Sequence, residues 1–131
     1  MRFLFIMLSV LSLSACTSMG AKPKESLQIE GLRIENQSAM WVSAARLLIP
    51  ATGGFVSCGN IPPGSMCSTG FPDTEYAGNP VEITWSQAGQ IHSTGEFEIA
   101  IADSIDFEKP AVVKVIISGP GSAGAGLIQQ P

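Results

Sequence analysis

The chain has 131 residues, a formal net charge of −4 and only 14% charged residues, so its length suits one domain with a real core. An acidic chain without a basic run has little with which to neutralise phosphates, which argues against nucleic acid and against electrostatic docking on anionic lipid. Its 14 glycines and 9 prolines suit a turn-rich β domain.

The chain opens MRFLFIMLSVLSLSAC. Arg2 supplies a short positive region and residues 3–13 an apolar one, a length within the ~7–15 residues of a signal peptide and below the ~20 that span a bilayer as a helix. Leu13-Ser14-Ala15-Cys16 resembles the bacterial lipobox. That resemblance implies that residues 1–15 are a cleaved signal helix and that Cys16 carries a diacylglyceryl thioether and an acylated amine. The chain would then meet the membrane through N-terminal lipid. By the same resemblance, Thr17 in place of an aspartate implies the periplasmic face of the outer membrane. An ordinary secretory signal and a short membrane anchor are the competing readings. Residues 16–26 hold Gly, Pro and two lysines without apolar periodicity, and read as a lipidated tether.

The domain is expected over residues 27–119. LQIEGLRIEN alternates through Leu27 and Ile29, then changes phase at Gly31 to resume at Leu32 and Ile34. A glycine at a phase slip predicts a bulge. Asn36-Gln37-Ser38 reads as a turn into WVSAARLLIP, which Pro50 ends. Two further runs, at residues 55–58 and 66–71, flank Ile61-Pro62-Pro63-Gly64 and read as a hairpin. VEITWSQ sets Val81, Ile83 and Trp85 against Glu82, Thr84 and Ser86. A turn at Gly89 leads to IHSTGEFEIAI, with Phe97, Ile99 and Ile101 inward, and AVVKVIIS offers Val113, Val115 and Ile117 opposite Lys114. The last stretch, residues 120–131, is rich in Gly, Ala and Ser and reads as a flexible tail.

About seven short alternating strands separated by turn signals predict an all-β, antiparallel sandwich of immunoglobulin-like or transthyretin-like topology. A small closed barrel is the alternative. Trp41, Trp85 and Phe97 are the expected large core groups.

With Cys16 lipidated, Cys58 and Cys67 remain as an even pair in an oxidising compartment, where a structural disulfide is the rule. Zinc needs about four ligands, and two thiols plus His92, the one histidine, do not supply them. A thioredoxin-type couple needs Cys-x-x-Cys at a helix start. The cysteines are only nine positions apart, which also distinguishes this pair from the inter-sheet bridge of an antibody domain. The segment from Val56 to Cys67, V-x-C-x-x-I-x-P-G-x-x-C, together with the Asn-x-Ser after the first strand, resembles small proteobacterial periplasmic lipoproteins. The resemblance covers roughly residues 27–119, implies an immunoglobulin-like sandwich and brings no catalytic residues.

No nucleophile elbow or comparable motif accompanies His92 and Ser93, so no enzyme activity is expected. Calcium would need about six oxygen ligands from the acidic loops around Asp73 and Glu75 and around Asp103, Asp106 and Glu108, which read equally well as solvated turns. Met40, Met66 and His92 lack the clustered spacing of a copper site, so core packing is their expected role. No cofactor or metal is therefore expected. The expected function is a non-catalytic binding or accessory module of the envelope with a protein partner; a periplasmic hydrolase inhibitor and a metal-handling lipoprotein are the alternatives. Residues 71–80, FPDTEYAGNP, read as an exposed loop in which Phe71 and Tyr76 would anchor that partner.

Overall fold

The structure, a computed structural model, describes residues 26–130, without the side chains of residues 72–74. The signal peptide of residues 1–15, the lipid site at Cys16 and the tether up to residue 25 lie outside the described residues.

Eight strands run β1 Leu27–Asn36, β2 Val42–Ile49, β3 Gly54–Ile61, β4 Met66–Tyr76, β5 Glu82–Gln87, β6 Gln90–Ser93, β7 Ala111–Gly119 and β8 Ser122–Ile128. They form two four-stranded sheets, ordered β4-β1-β7-β8 and β3-β2-β5-β6. The sheets pack as a sandwich and do not close into a barrel. Strand alternation puts Leu27, Ile29, Leu32 and Ile34 of β1 and Val113, Val115 and Ile117 of β7 inside, facing Val42, Leu47, Ile83 and Trp85. Each such burial stabilises the fold by roughly 1.5–3 kcal/mol.

The bulge at Gly31 is present. The register of β1 shifts between Ile29 and Gly31 against both its neighbours. A Cβ at Gly31 would lie 3.2 Å from the Thr69 carbonyl oxygen, so the phase slip needs a residue without one. Gln87 and Gln90 pair across the β5–β6 turn, where Ala88 and Gly89 both have positive φ (54° and 75°), the backbone of a tight hairpin turn.

Several expectations are corrected. One pair is parallel: β1 with β7. After β6 the chain crosses back through residues 94–110 and starts β7 at the end where β1 starts, so the two strands run the same way. Within that crossover Phe97 forms one isolated bridge with Val81 and Ile99 is buried outside any strand. The Phe97-Ile99-Ile101 alternation thus reflects burial without a ladder.

Residues 120–130 are not a loose tail. Ser122–Ile128 pairs in register with β7, Ala123, Ala125 and Leu127 lying against the core. Finally, β3 and β4 are not a hairpin. The Pro62-Pro63-Gly64 turn carries the chain from one sheet to the other, and the Cys58–Cys67 disulfide (Cα–Cα 5.9 Å) joins their two edges. Unlike the expectation from spacing, it bridges the sheets.

Candidate binding surface at the turn end

The sandwich has two ends. Connections 37–41, 62–65, 88–89 and 120–121 gather at one, called here the turn end. Ser26, connections 50–53 and 77–81 and the crossover 94–110 lie at the other, the Tyr76 end.

Both predicted anchors belong to the architecture of the Tyr76 end. β4 continues to Tyr76, paired with Leu27, so the expected exposed loop is largely a strand. Phe71 is 7% and Tyr76 6% exposed. The Tyr76 hydroxyl donates to the Ile99 carbonyl at 2.9 Å and accepts from the Ile99 N–H at 2.7 Å. One phenol thereby satisfies a backbone segment that has no strand partner, as burial requires. Burial holds the Tyr76 phenol above its ordinary pKa; the Ile99 backbone hydrogen bond opposes this and the Glu98 charge adds to it.

At the turn end the buried groups are polar. Asn36 is 1% exposed, and its side chain uses its whole bonding capacity. Its amide donates to the carbonyls of Met40 (2.7 Å) and Ile61 (2.9 Å), and its oxygen accepts from the Ser38 N–H (3.0 Å) and hydroxyl (2.6 Å). Gln87, 2% exposed, donates to the Ser38 hydroxyl at 2.7 Å and accepts from the Trp85 indole N–H at 3.1 Å. A continuous set of hydrogen bonds thus ties Trp85 in the core to the 37–41 connection and across to Ile61. Buried networks satisfied in this way fix one conformation.

The side chains carried on that frame are apolar and wet. Met40 is 41%, Trp41 60%, Met66 56% and Ile91 84% exposed. Trp41 was expected in the core; it precedes the inward Val42, so strand alternation turns it out. Ser43, Ser86 and Ile91 lie in one row across β2, β5 and β6, and Trp41 extends their outer face. Met66 stands on the other sheet beside Glu35. There an open groove of about 540 Å³ is lined by Arg33, Glu35, Gln37, Gly64, Ser65 and Met66, among others. Gln37 donates to Glu35 at 3.0 Å, and Lys114 and Arg33 lie 3.5 and 3.7 Å from its carboxylate. These contacts, the Gln37 bond foremost, hold the Glu35 carboxyl below its ordinary range against a desolvation cost.

Four of the five large exposed apolar side chains among the described residues therefore lie at one end, and the fifth, Phe55, lies at the other. Sequence reasoning took Met40, Met66 and Trp41 for core. The signal that separates them is position: each sits at a turn or a strand end, where alternation has no partner strand to point toward.

The remaining candidates do not converge. His92 faces Trp85 (ring centroids 5.5 Å apart), with Nε2 3.2 Å from the Gln87 carbonyl, whereas the neighbouring Ser93 bonds Glu82. Alternation sends the two to opposite faces of β6. Asp106 accepts the Glu108 N–H at 2.9 Å as a turn residue. Among the described residues no group of three His, Cys, Asp or Glu side chains gathers as a metal site.

No family model matches the chain, and no curated protein matches it. Among solved structures, an NMR structure of a protein from Eubacterium rectale aligns with a TM-score of 0.50 at 13% identity, over 81% of this chain and 89% of that one. At that identity the likeness is one of fold alone.

Proposed function

We propose that the chain is a non-catalytic binding module of the bacterial envelope, lipid-anchored through Cys16 at the periplasmic face of the outer membrane, that presents its turn end to a protein partner. The observation that carries this reading is the gathering of Met40, Trp41, Met66 and Ile91 at the end opposite Ser26. A tether entering at Ser26 would hold the Tyr76 end toward the lipid and the turn end toward the periplasm. Trp and Met are both enriched at interfaces and Trp among the residues that carry most binding energy, and the Asn36–Gln87 network holds the connection that carries Met40 and Trp41.

The test has two arms. Labelled palmitate should enter the wild-type protein and not Cys16→Ser, and its absence from wild type removes the anchoring half. A photo-crosslinking amino acid placed at position 41 should capture one discrete protein in intact cells, while one at position 55 should not. Equal capture from both positions removes the turn end as the docking surface.

A further inference from the structure

A sandwich of two open sheets has four edge strands, and edges invite pairing unless they are blunted. Three of these are blunted. β3 is bulged against β2, with Gly59 at φ 73°, and is fastened by Cys58–Cys67 to β4. β4 carries Pro72 and a register break opposite Gly31. β6 is only four residues long. The fourth, β8, is seven residues, SAGAGLI, without charge or proline, and its register with β7 is unbroken from Ile128 to Ala123.

β8 also borders the side of the core that no disulfide closes, with the 94–110 crossover held beside its end through Gln129, bonded to Asp106 and Lys109. The β3–β4 side is closed by the disulfide, whereas opposite it a short β6 faces β8, whose inward Ala123 and Ala125 are small and half-buried. The outward Gly124 and Gly126 have no steric reason to be glycine: a Cβ at either would meet nothing within 4 Å, and neither has positive φ. A strand glycine weakens the strand, and close approach by a ligand or another backbone is among the reasons for one.

We propose that Ser122–Ile128 accepts an added β-strand from a partner protein, an extended segment with apolar side chains at alternate positions. The unpaired row of backbone donors and acceptors selects an extended chain, as in other strand-addition complexes. Its inward apolar side chains would pack beside Ala123 and Ala125, and its outward ones would stand beside the two glycines.

Two other occupants fit less well. The tether contains Pro23, lacks apolar alternation and enters at β1, with β7 between it and β8. A second copy paired through β8 would bring to this side only the same small Ala123 and Ala125, which add little apolar cover.

The probe is a fluorescent nine-residue peptide alternating Val and Thr, compared with its twin N-methylated at every second amide. Binding to the purified full chain in detergent is measured with hydrogen exchange on the same samples. The expected result is binding at least tenfold weaker for the twin, with protection gained at residues 122–128. Equal binding by both peptides, or protection gained elsewhere, overturns strand addition. Protection of residues 122–128 that rises with protein concentration in the absence of peptide assigns the edge to a second copy and overturns the proposal. Palmitate labelling of Cys16 is independent of these readouts, so failure of the anchor and failure of the edge are told apart.

Discussion

At the Tyr76 end, one aromatic residue goes inward and its hydroxyl satisfies both backbone groups of Ile99. At the turn end, the aromatic residue goes outward and buried amides take its place: Asn36 and Gln87 saturate the connection 37–41 while Trp41 stands in solvent. The connections differ to match. The Tyr76 end carries a seventeen-residue crossover, 94–110, held down by Phe97, Ile99, Ile105 and Phe107. The turn end has connections of two to five residues, too short to contribute a core of their own. A long irregular segment can bury apolar side chains, and a short turn must satisfy its backbone with polar ones. The consequence is that the short-turn end keeps its large apolar groups free for another molecule.

That contrast is most severely tested at Tyr76. Tyr76→Ala should destabilise the protein by about 3–5 kcal/mol, the range for truncating a buried large aromatic, read from urea unfolding. Tyr76→Phe keeps the ring and strands the Ile99 donor, and should cost about 1–2 kcal/mol. The phenol also adds a pH dependence. Its folded pKa is raised, so between about pH 10, where an unperturbed tyrosine ionises, and the higher folded value, the unfolded chain binds fewer protons than the native one. Stability then falls as pH rises. Below pH 10 the phenol contributes no slope, and Tyr76→Phe should flatten the alkaline decline. A Tyr76→Ala cost under 1 kcal/mol would return this residue to the surface.

The disulfide comes next, because it closes one side of the sandwich between the two ends. Replacing Cys58 and Cys67 by serine should cost roughly 2–3 kcal/mol for a loop of about ten residues, lowering the melting temperature of a protein that still folds. In the native protein neither thiol should react with maleimide before reduction. Two freely reacting thiols would contradict the bridge.

What was legible in the sequence follows the same division. Regular alternation located β1, β2, β5 and β7, and Gly31 announced its bulge because a glycine at a phase slip has few other causes. Sheet membership was not legible: nothing local in Ile61-Pro62-Pro63-Gly64 distinguishes a hairpin from a crossing between sheets. β8 was missed because its inward residues are Ala123 and Ala125, too small for a hydrophobic period, and its strand conformation comes from pairing with β7. Tyr76 and Trp41 were exchanged for a shared reason. Each flanks an apparent turn, and its direction depends on which strand continues through it, a fact of tertiary pairing. The polar network was invisible because Asn36 looked like a turn residue, and its burial depends on Ile61 and Gln87, distant in sequence.

Asn36→Ala tests the turn-end frame itself. It would leave the Met40 and Ile61 carbonyls and the Ser38 donors without their buried partner, at a cost of about 1–3 kcal/mol. Capture by a cross-linker at position 41 should fall with it, because the connection that aims Met40 and Trp41 would loosen. Asn36→Asp replaces the two amide donors with acceptors facing carbonyls, and should be at least as damaging. Full capture with lowered stability would show that docking does not need the frame.

The smallest expected effect on stability carries the most functional weight. Trp41 and Phe55 are almost equally exposed, at 60% and 58%, and lie at opposite ends of the same sheet. Phe55 has a local partner, the Arg46 guanidinium 5.2 Å from its ring centroid, which accounts for an aromatic at that place by a contact worth about 0.5–1 kcal/mol. No aromatic or cation contact of that kind is found for Trp41 among the described residues. Truncation of either ring should change unfolding free energy by under about 1 kcal/mol, as exposed substitutions generally do. Only Trp41→Ala should abolish capture of the partner by a cross-linker placed at the neighbouring position 40. If Phe55→Ala abolishes it equally, exposure alone governs binding and the two ends are not functionally distinct. If neither does, the four apolar side chains of the turn end are not the anchor, and the free β8 edge becomes the primary contact.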